Sequence, residues 1–225
     1  MKKLLIGAIA LCTTMSAQAI ESSWYLKFGY GATDPDAGIL EQQLSNELGA
    51  YEQFGFARGL SLALGYQLNP YIAIEGGLVD WGDSTIEDKA YYGNLMLDGI
   101  AGHYRTKARV SGNTGNLGVV LSTSVARRFA VGVKGGFHVW TLEERVRAID
   151  EWQQIVGENE SGGAVVVSSE TQLVDYARST DGSDPYAGLI ASYREDSWAL
   201  SVEYTVFQTE FADPSSTIFS VSKEF

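Results

Sequence analysis

Hydrophobic and polar residues alternate along much of this 225-residue chain. In the segment 60–68, Leu or Tyr occupies every second position, and Ser, Ala, Gly and Gln fill the positions between them. A period of two is typical of a β-strand, because successive side chains point to opposite faces of a sheet. The alternation predicts eight strands, at 22–32, 56–68, 71–82, 113–126, 129–142, 185–194, 198–208 and 217–225.

The connections between the predicted strands alternate in length. Tight turns follow strands two, four and six, and a connection of moderate length, 209–216, follows strand seven. Long loops follow strands one, three and five, at 33–55, 83–112 and 143–184. Short turns at one end and long loops at the other are typical of outer-membrane barrels. The sequence therefore predicts an all-β fold, an eight-stranded antiparallel up-and-down transmembrane β-barrel with long extracellular loops and short periplasmic turns.

The two faces of the predicted strands differ in size and polarity. One face carries Leu, Val, Phe, Tyr and Trp, whereas the other carries mainly Gly, Ala and Ser with isolated charges. A water-soluble barrel would need a charged outer surface, so we predict that the bulky face contacts lipid. Aromatic residues near the strand ends are expected to form two girdles at the membrane boundaries. The expected girdle residues are Trp24, Tyr66, Phe129, Tyr193, Trp198 and Phe225 at the tight-turn end, and Tyr30, Phe56, Trp140 and Phe207 at the long-loop end.

The amino terminus has the pattern of a secretory signal peptide. Two lysines precede a short apolar run at 4–11, and the small residues Ala17 and Ala19 follow it as a cleavage site. The run is too short to span a membrane as a helix. We therefore predict that residues 1–19 are a signal peptide and that residues 20–225 form the barrel domain.

Composition narrows the range of functions. Cys12 is the only cysteine and falls in the predicted signal peptide, so we expect no disulfide and no cysteine metal site in the barrel. The net charge of −12 disfavours binding to nucleic acid. Acidic clusters at 34–36, 80–83 and 87–88 are interpreted as solvated loops rather than calcium sites. We expect no metal and no cofactor.

Charged residues on the small, inward face suggest how the lumen is filled. An eight-stranded barrel is barely wide enough for side chains, and buried charges persist when they are paired and hydrogen-bonded. We expect a salt-bridged plug in which Glu75 and Glu203 pair with Lys134 and Lys27, and a gated narrow pore is the alternative. The predicted inward charges are Lys27, Glu75, Lys134, Arg194, Glu203 and Glu224.

A second group of charges is predicted on the outward face. If strands four and five extend above the membrane, their cations share this face and could contact lipopolysaccharide phosphates through charge-assisted hydrogen bonds. The alternative is that they are solubilising charges paired with Glu143 and Glu144. The residues proposed for this contact are Arg58, Arg105, Lys107, Arg109, Arg145 and Arg147.

The sequence gives little sign of catalysis. His103 and His138 are the only histidines, and neither belongs to a recognisable catalytic motif. His138 is predicted to point into the barrel near its outer end, and His103 to lie in the second long loop. We predict no catalytic residues and no enzymatic activity, with a lipid hydrolase or acyltransferase active at the barrel rim as an alternative.

Four segments, taken in order, resemble a known family. They are similar to the OmpA-type transmembrane domain of Gram-negative outer membranes, which implies a location in that membrane. The segments are "LGYQLNPYIAIEGGL" (64–78), "VGVKGGFHVW" (131–140), "DPYAGLIASY" (184–193) and "WALSVEYTVF" (198–207).

The resemblance also implies roles for particular residues. Glu75, Lys134 and Glu203 align with interior charged positions of that fold. A terminal Phe on an alternating strand resembles the signal read by the barrel-assembly machinery, here carried by Phe219, Val221 and Phe225.

The function expected from these observations is structural. The protein is predicted to support membrane integrity as a monomer in contact with outer-membrane lipid and lipopolysaccharide, while its long loops contact partners that the sequence does not identify. The alternative within the same fold is a narrow porin-like channel for small solutes.

Overall fold

Eight antiparallel strands form a closed barrel in the computed structural model, which describes residues 23–35, 55–158, 164–210 and 213–225. Each strand pairs with the next along the chain, and the eighth pairs with the first. The predicted up-and-down barrel is confirmed, whereas the predicted signal peptide, residues 1–19, lies outside the described residues. The strands are β1 (Ser23–Asp34), β2 (Ala57–Asn69), β3 (Ile72–Asn94), β4 (Ile100–Ser124), β5 (Phe129–Glu158), β6 (Ala164–Glu195), β7 (Trp198–Phe207) and β8 (Ser215–Glu224).

The end of the chain closes the wall. Val221 lies opposite Phe28 in the register between β8 and β1, and the Phe225 amide donates to the Trp24 carbonyl at 2.9 Å. Closure pairs the backbone groups at what would otherwise be two open sheet edges, which hydrocarbon requires. Phe219, Val221 and Phe225 all expose their side chains on the outer surface.

Two of the predicted long loops are instead strand. β3 and β4 remain paired from Asp83 opposite Ser111 to Asn94 opposite Ile100, and β5 and β6 remain paired up to Glu158 opposite Ala164. The described residues of the segments 83–112 and 143–184 are therefore mainly strand, and the prediction of long loops there was wrong. We call this four-stranded extension the distal sheet. It consists of residues 83–94 of β3, 100–111 of β4, 143–158 of β5 and 164–179 of β6.

One helical turn, α1 (Leu95–Asp98), joins β3 to β4 at the tip of the distal sheet. The Asn94 side chain accepts hydrogen bonds from the Met96 and Leu97 amides, and Gly99 ends the turn with a left-handed φ of 72°. Across the described ranges, helices long and apolar enough to traverse a membrane are absent.

The outer surface of the barrel is apolar. Leu62 is 47 % exposed and Leu78 is 63 % exposed, whereas the neighbouring inward residue Ala63 is buried. At the tight-turn end, the ring centroids of Trp24 and Tyr66 lie 4.8 Å apart, and those of Phe129 and Tyr193 lie 5.2 Å apart. An apolar belt of this extent requires a lipid surround.

The upper aromatic girdle differs from the prediction. Tyr30 and Phe56 are exposed as expected, but Trp140 and Phe207 are 3 % and 1 % exposed and point into the lumen. Trp140 lies two residues after the inward-facing His138, so the alternation of its own strand places it inside.

Candidate functional site

A chain of buried ion pairs crosses the middle of the lumen. Lys27 Nζ lies 2.6 Å from Glu75 Oε2 and 2.7 Å from Glu203 Oε1, and Lys134 Nζ lies 2.6 Å from Glu203 Oε2. The Tyr25 hydroxyl donates to Glu75 at 2.9 Å. We call Lys27, Glu75, Lys134 and Glu203 the charge cluster. Its members come from β1, β3, β5 and β7, so it links alternate strands of the whole wall.

Small residues make room for this cluster. A Cβ added to Gly65 would clash with the Tyr25 ring, and one added to Gly188 would lie 3.2 Å from Lys134 Cε. Glycine at these positions therefore leaves space for long side chains to reach one another. The four cluster side chains are between 4 and 10 % exposed, with two positive and two negative charges balancing one another.

The other two predicted inward charges lie apart from the cluster. Arg194 and Glu224 line a cavity of about 70 Å³ that extends from the turn residues 196–198 to Lys27 and Glu75. Glu224 accepts a hydrogen bond from the Ser23 hydroxyl. A cavity of this size and polarity can hold a few water molecules. The tight-turn end of the lumen is thus a small polar vestibule beside the charge cluster.

The long-loop half of the lumen is apolar, which the sequence interpretation missed. Trp81 packs on Phe207 with ring centroids 5.6 Å apart, and Tyr186 lies 5.8 Å from Phe207. We call this set the aromatic layer. The alternation of β5 and β7 puts Trp140 and Phe207 on the inward face. The prediction nevertheless placed these aromatic residues at the lipid boundary, because they lie near strand ends. Its buried residues are Val79, Trp81, Ala108, Val110, Trp140, Leu142, Val146, Tyr186 and Phe207.

His138 is built into this layer. It is buried, with Nδ1 2.9 Å from the Thr114 hydroxyl oxygen and Nε2 2.8 Å from the Gln208 carbonyl oxygen. His103 lies on the distal sheet, where Nε2 is 3.2 Å from Glu151 Oε2 and the ring stacks on Tyr91. The two histidines thus belong to separate hydrogen-bonded groups. Clusters of three or more metal-ligating side chains do not occur in the part of the chain that the structure describes.

The predicted outer cations converge on one part of the distal sheet. In the β4–β5 register Lys107 lies opposite Arg147, and Arg109 lies opposite Arg145. We call these four residues the basic patch. Arg58 is exposed on β2, outside the patch.

The ion pairs of the outer face are unevenly distributed. Arg109 forms two contacts with Asp83, at 2.6 and 3.0 Å, and the hydrogen bond and negative charge of Asp83 raise the pKa of Arg109. Arg105 lies 3.6 Å from Glu151. Within the described residues, Lys107, Arg145 and Arg147 form no ion pair. Glu143, one of the two expected acidic partners, adds a further negative charge that acts on Arg109.

A closed sheet with an apolar exterior and a charged interior defines an integral membrane β-barrel. The chain belongs to the outer membrane protein beta-barrel domain family, whose sequence profile matches residues 4–223. The predicted location in the Gram-negative outer membrane is thereby confirmed. No curated protein matches the chain.

The chain is similar to several solved structures at low sequence identity. The chain is similar to Ail, the attachment invasion locus protein of Yersinia pestis, with 10% identity over 91% of this chain and 97% of that chain and a TM-score of 0.43. It is similar to the N-terminal β-barrel domain of Pseudomonas aeruginosa OprF, with 10% identity over 92% of this chain and 100% of that chain and a TM-score of 0.46. It is also similar to the outer membrane protease OmpT of Escherichia coli, with 10% identity over 95% of this chain and 99% of that chain and a TM-score of 0.37.

Proposed function

We propose that the protein is a structural barrel of the outer membrane with a closed lumen, and that its basic patch binds phosphate groups of lipopolysaccharide. Two layers support closure. The charge cluster ties β1 and β3 to β5 and β7, and the aromatic layer fills the lumen toward the long-loop end. An ion crossing the barrel would have to separate buried ion pairs and displace packed aromatic rings, which is costly.

The arrangement of the basic patch carries the lipid-binding part of the proposal. Like charges directly opposite each other on neighbouring strands repel, and their Cβ atoms are about 5 Å apart. Two such pairs stand side by side here, Lys107 with Arg147 and Arg109 with Arg145. A phosphate placed among them accepts charge-assisted hydrogen bonds from more than one cation. Glu87 and Asp175 lie opposite Lys107 and Arg147 on the flanking strands and offset part of this repulsion, and a bound phosphate would offset more of it.

The position of the patch along the strands fits this ligand. Val139 is 62 % exposed and is among the last large apolar residues on the outer face of β5. Arg145 follows it by six residues, or about 20 Å of strand at ~3.3 Å per residue. A tilt of ~40° reduces the height to about 15 Å. The patch thus lies beyond the apolar belt, where the large polar headgroup of lipopolysaccharide extends.

A role without catalysis is part of this proposal. Both ring nitrogens of His138 have partners, the Thr114 hydroxyl and the Gln208 carbonyl, and the ring is buried among aromatic side chains. This setting supports a packing role rather than proton transfer to a lipid at the rim.

Lipopolysaccharide binding by reconstituted barrel variants tests the proposal. The double variant Arg145→Gln/Arg147→Gln should bind about tenfold more weakly, which corresponds to roughly 1.4 kcal/mol. The control Arg127→Gln/Arg128→Gln removes the same charge from the turn at the other end of the barrel and should bind like the parent. Equal binding by the patch variant and the parent would contradict the assignment. A dephosphorylated lipopolysaccharide should abolish the difference between the variants.

A further inference from the structure

A groove lies on the outer face of the distal sheet, farther from the membrane than the basic patch. Its volume is about 580 Å³, within the usual range for a small-ligand site. All four strands of the distal sheet contribute to its lining through Tyr91, His103, Glu151 and Glu170. These residues lie directly opposite one another in a single cross-strand row.

One end of the groove is aromatic. The Tyr91 ring stacks on the His103 ring at 5.3 Å and is 77 % exposed. Such a ring offers an apolar face to solvent next to polar neighbours. An apolar ring face flanked by hydrogen-bonding groups suits a ligand that has both kinds of surface.

The other end of the groove is rich in hydrogen-bond acceptors. Glu151 is held by His103 Nε2 at 3.2 Å and by Arg105 Nη2 at 3.6 Å, while Glu170 lies directly opposite Glu151. Two facing carboxylates repel each other unless a donor lies between them. Gln153 and Ser168, which form the next cross-strand pair on the same face, add an amide and a hydroxyl.

A pyranose ring has the chemistry that matches both ends. Its C–H face can lie on the Tyr91 ring, and its hydroxyl groups can donate to the carboxylates and exchange hydrogen bonds with the amide. An acidic sugar would be repelled by Glu151 and Glu170, whereas an amino group would be attracted. The groove therefore selects an uncharged or amino-bearing sugar.

We propose that this groove binds a sugar ring of the lipopolysaccharide whose phosphates the basic patch holds, an inference that rests on the proposed function. His103 lies four residues beyond Lys107 on the same face of β4, which is about 13 Å of strand at ~3.3 Å per residue. The lipid's phosphates and the sugars attached above them would thus meet two sites stacked along one surface. Together the two sites would hold the lipid beside the tall side of the barrel.

Binding of the dephosphorylated oligosaccharide of lipopolysaccharide tests the groove without the patch. In detergent-solubilised barrel, Tyr91→Ala and Glu170→Gln should each weaken this binding by about five- to tenfold, as expected for loss of an aromatic contact or a charged acceptor. The matched controls are Tyr104→Ala, which alters an exposed Tyr on the opposite face, and Glu158→Gln at the end of β5. Both controls should bind like the parent.

The outcomes separate the two proposals. Unchanged oligosaccharide binding in Tyr91→Ala and Glu170→Gln overturns the groove assignment, as does equally tight binding of a uronic-acid oligosaccharide. Arg145→Gln/Arg147→Gln should keep full affinity for the dephosphorylated oligosaccharide and lose affinity for the intact lipid. If that variant keeps its affinity for the intact lipid while Tyr91→Ala loses the oligosaccharide, the phosphate site fails and sugar binding by the groove stands.

Discussion

Replacement of Lys27 tests the charge cluster most directly. Its ammonium group lies 2.6 Å from Glu75 and 2.7 Å from Glu203, and its side chain is 6 % exposed. In Lys27→Met the side chain keeps a similar length, but both carboxylates lose a cation. Removing one partner of a buried ion pair typically costs about 3–5 kcal/mol. Because the adjoining cavity admits water, we expect a value near the lower end, about 3 kcal/mol.

The measurement is a urea titration of the barrel in lipid vesicles, followed by tryptophan fluorescence. Lys134→Met is the matched control, because Lys134 pairs with Glu203 alone and should therefore cost about half as much. The double variant Lys27→Met/Glu75→Gln removes one charge of each sign and should recover part of the loss. A free energy of unfolding for Lys27→Met within about 1 kcal/mol of the parent would refute the idea that the cluster holds the strands together.

Three further predictions follow from the structure. In planar bilayers the parent barrel should show no large, steady unitary currents, because the charge cluster and the aromatic layer both obstruct the lumen, and large currents would contradict a closed lumen. Trp81→Ala/Phe207→Ala removes two rings of the aromatic layer and should raise the conductance only modestly, because the charge cluster remains. Partial loss of solvent, with a hydrogen bond to Asp150 second, raises the pKa of Tyr92 to about 12. The neutral phenol therefore stabilises the fold below pH ~10, and this stabilisation is lost as the pH rises through about 12. The difference in alkaline ultraviolet titration between the parent and Tyr92→Phe should have its midpoint near 12, and a midpoint near 10 would exclude this environment. Phe225→Ala should lower the amount of folded barrel recovered from outer membranes, with Phe56→Ala as an exposed aromatic control, and equal recovery would remove Phe225 from the assembly signal.

The strands that meet lipid on one side could be predicted from the sequence because each contains a strict contrast of size. Leu60 to Leu68 on β2 alternate with small or polar residues, and the structure places the leucines outside and Ala63 inside. The same parity identified Lys27, Glu75, Lys134 and Glu203 as inward charges, which the structure brings together. Parity alone does not show which of these charges pair with one another, because pairing depends on how close the side chains lie in the folded barrel.

The distal sheet was missed because both of its faces differ from those of the barrel. Its outer face carries charges such as Glu87 and Lys107, which face water, together with scattered exposed apolar residues such as Tyr91, so it lacks the continuous row of large apolar side chains that marked the other strands. Its inner face carries Ile86, Ala108 and Val110, which are buried. Alternation is present, but with polarity reversed relative to the membrane-facing segments. The reversed alternation is also a strand pattern, and the sequence contains it.

The unequal strand lengths give the molecule two dissimilar sides. β5 and β6 have 30 and 32 residues, whereas β7 and β8 have 10 each. On the low side, a neighbouring protein in a crowded membrane can come into contact at the level of the acyl chains with few described residues projecting above it. On the high side, the projecting wall keeps such neighbours at a distance and leaves a strip of membrane to lipids. The barrel would therefore have a preferred orientation relative to its neighbours in the membrane.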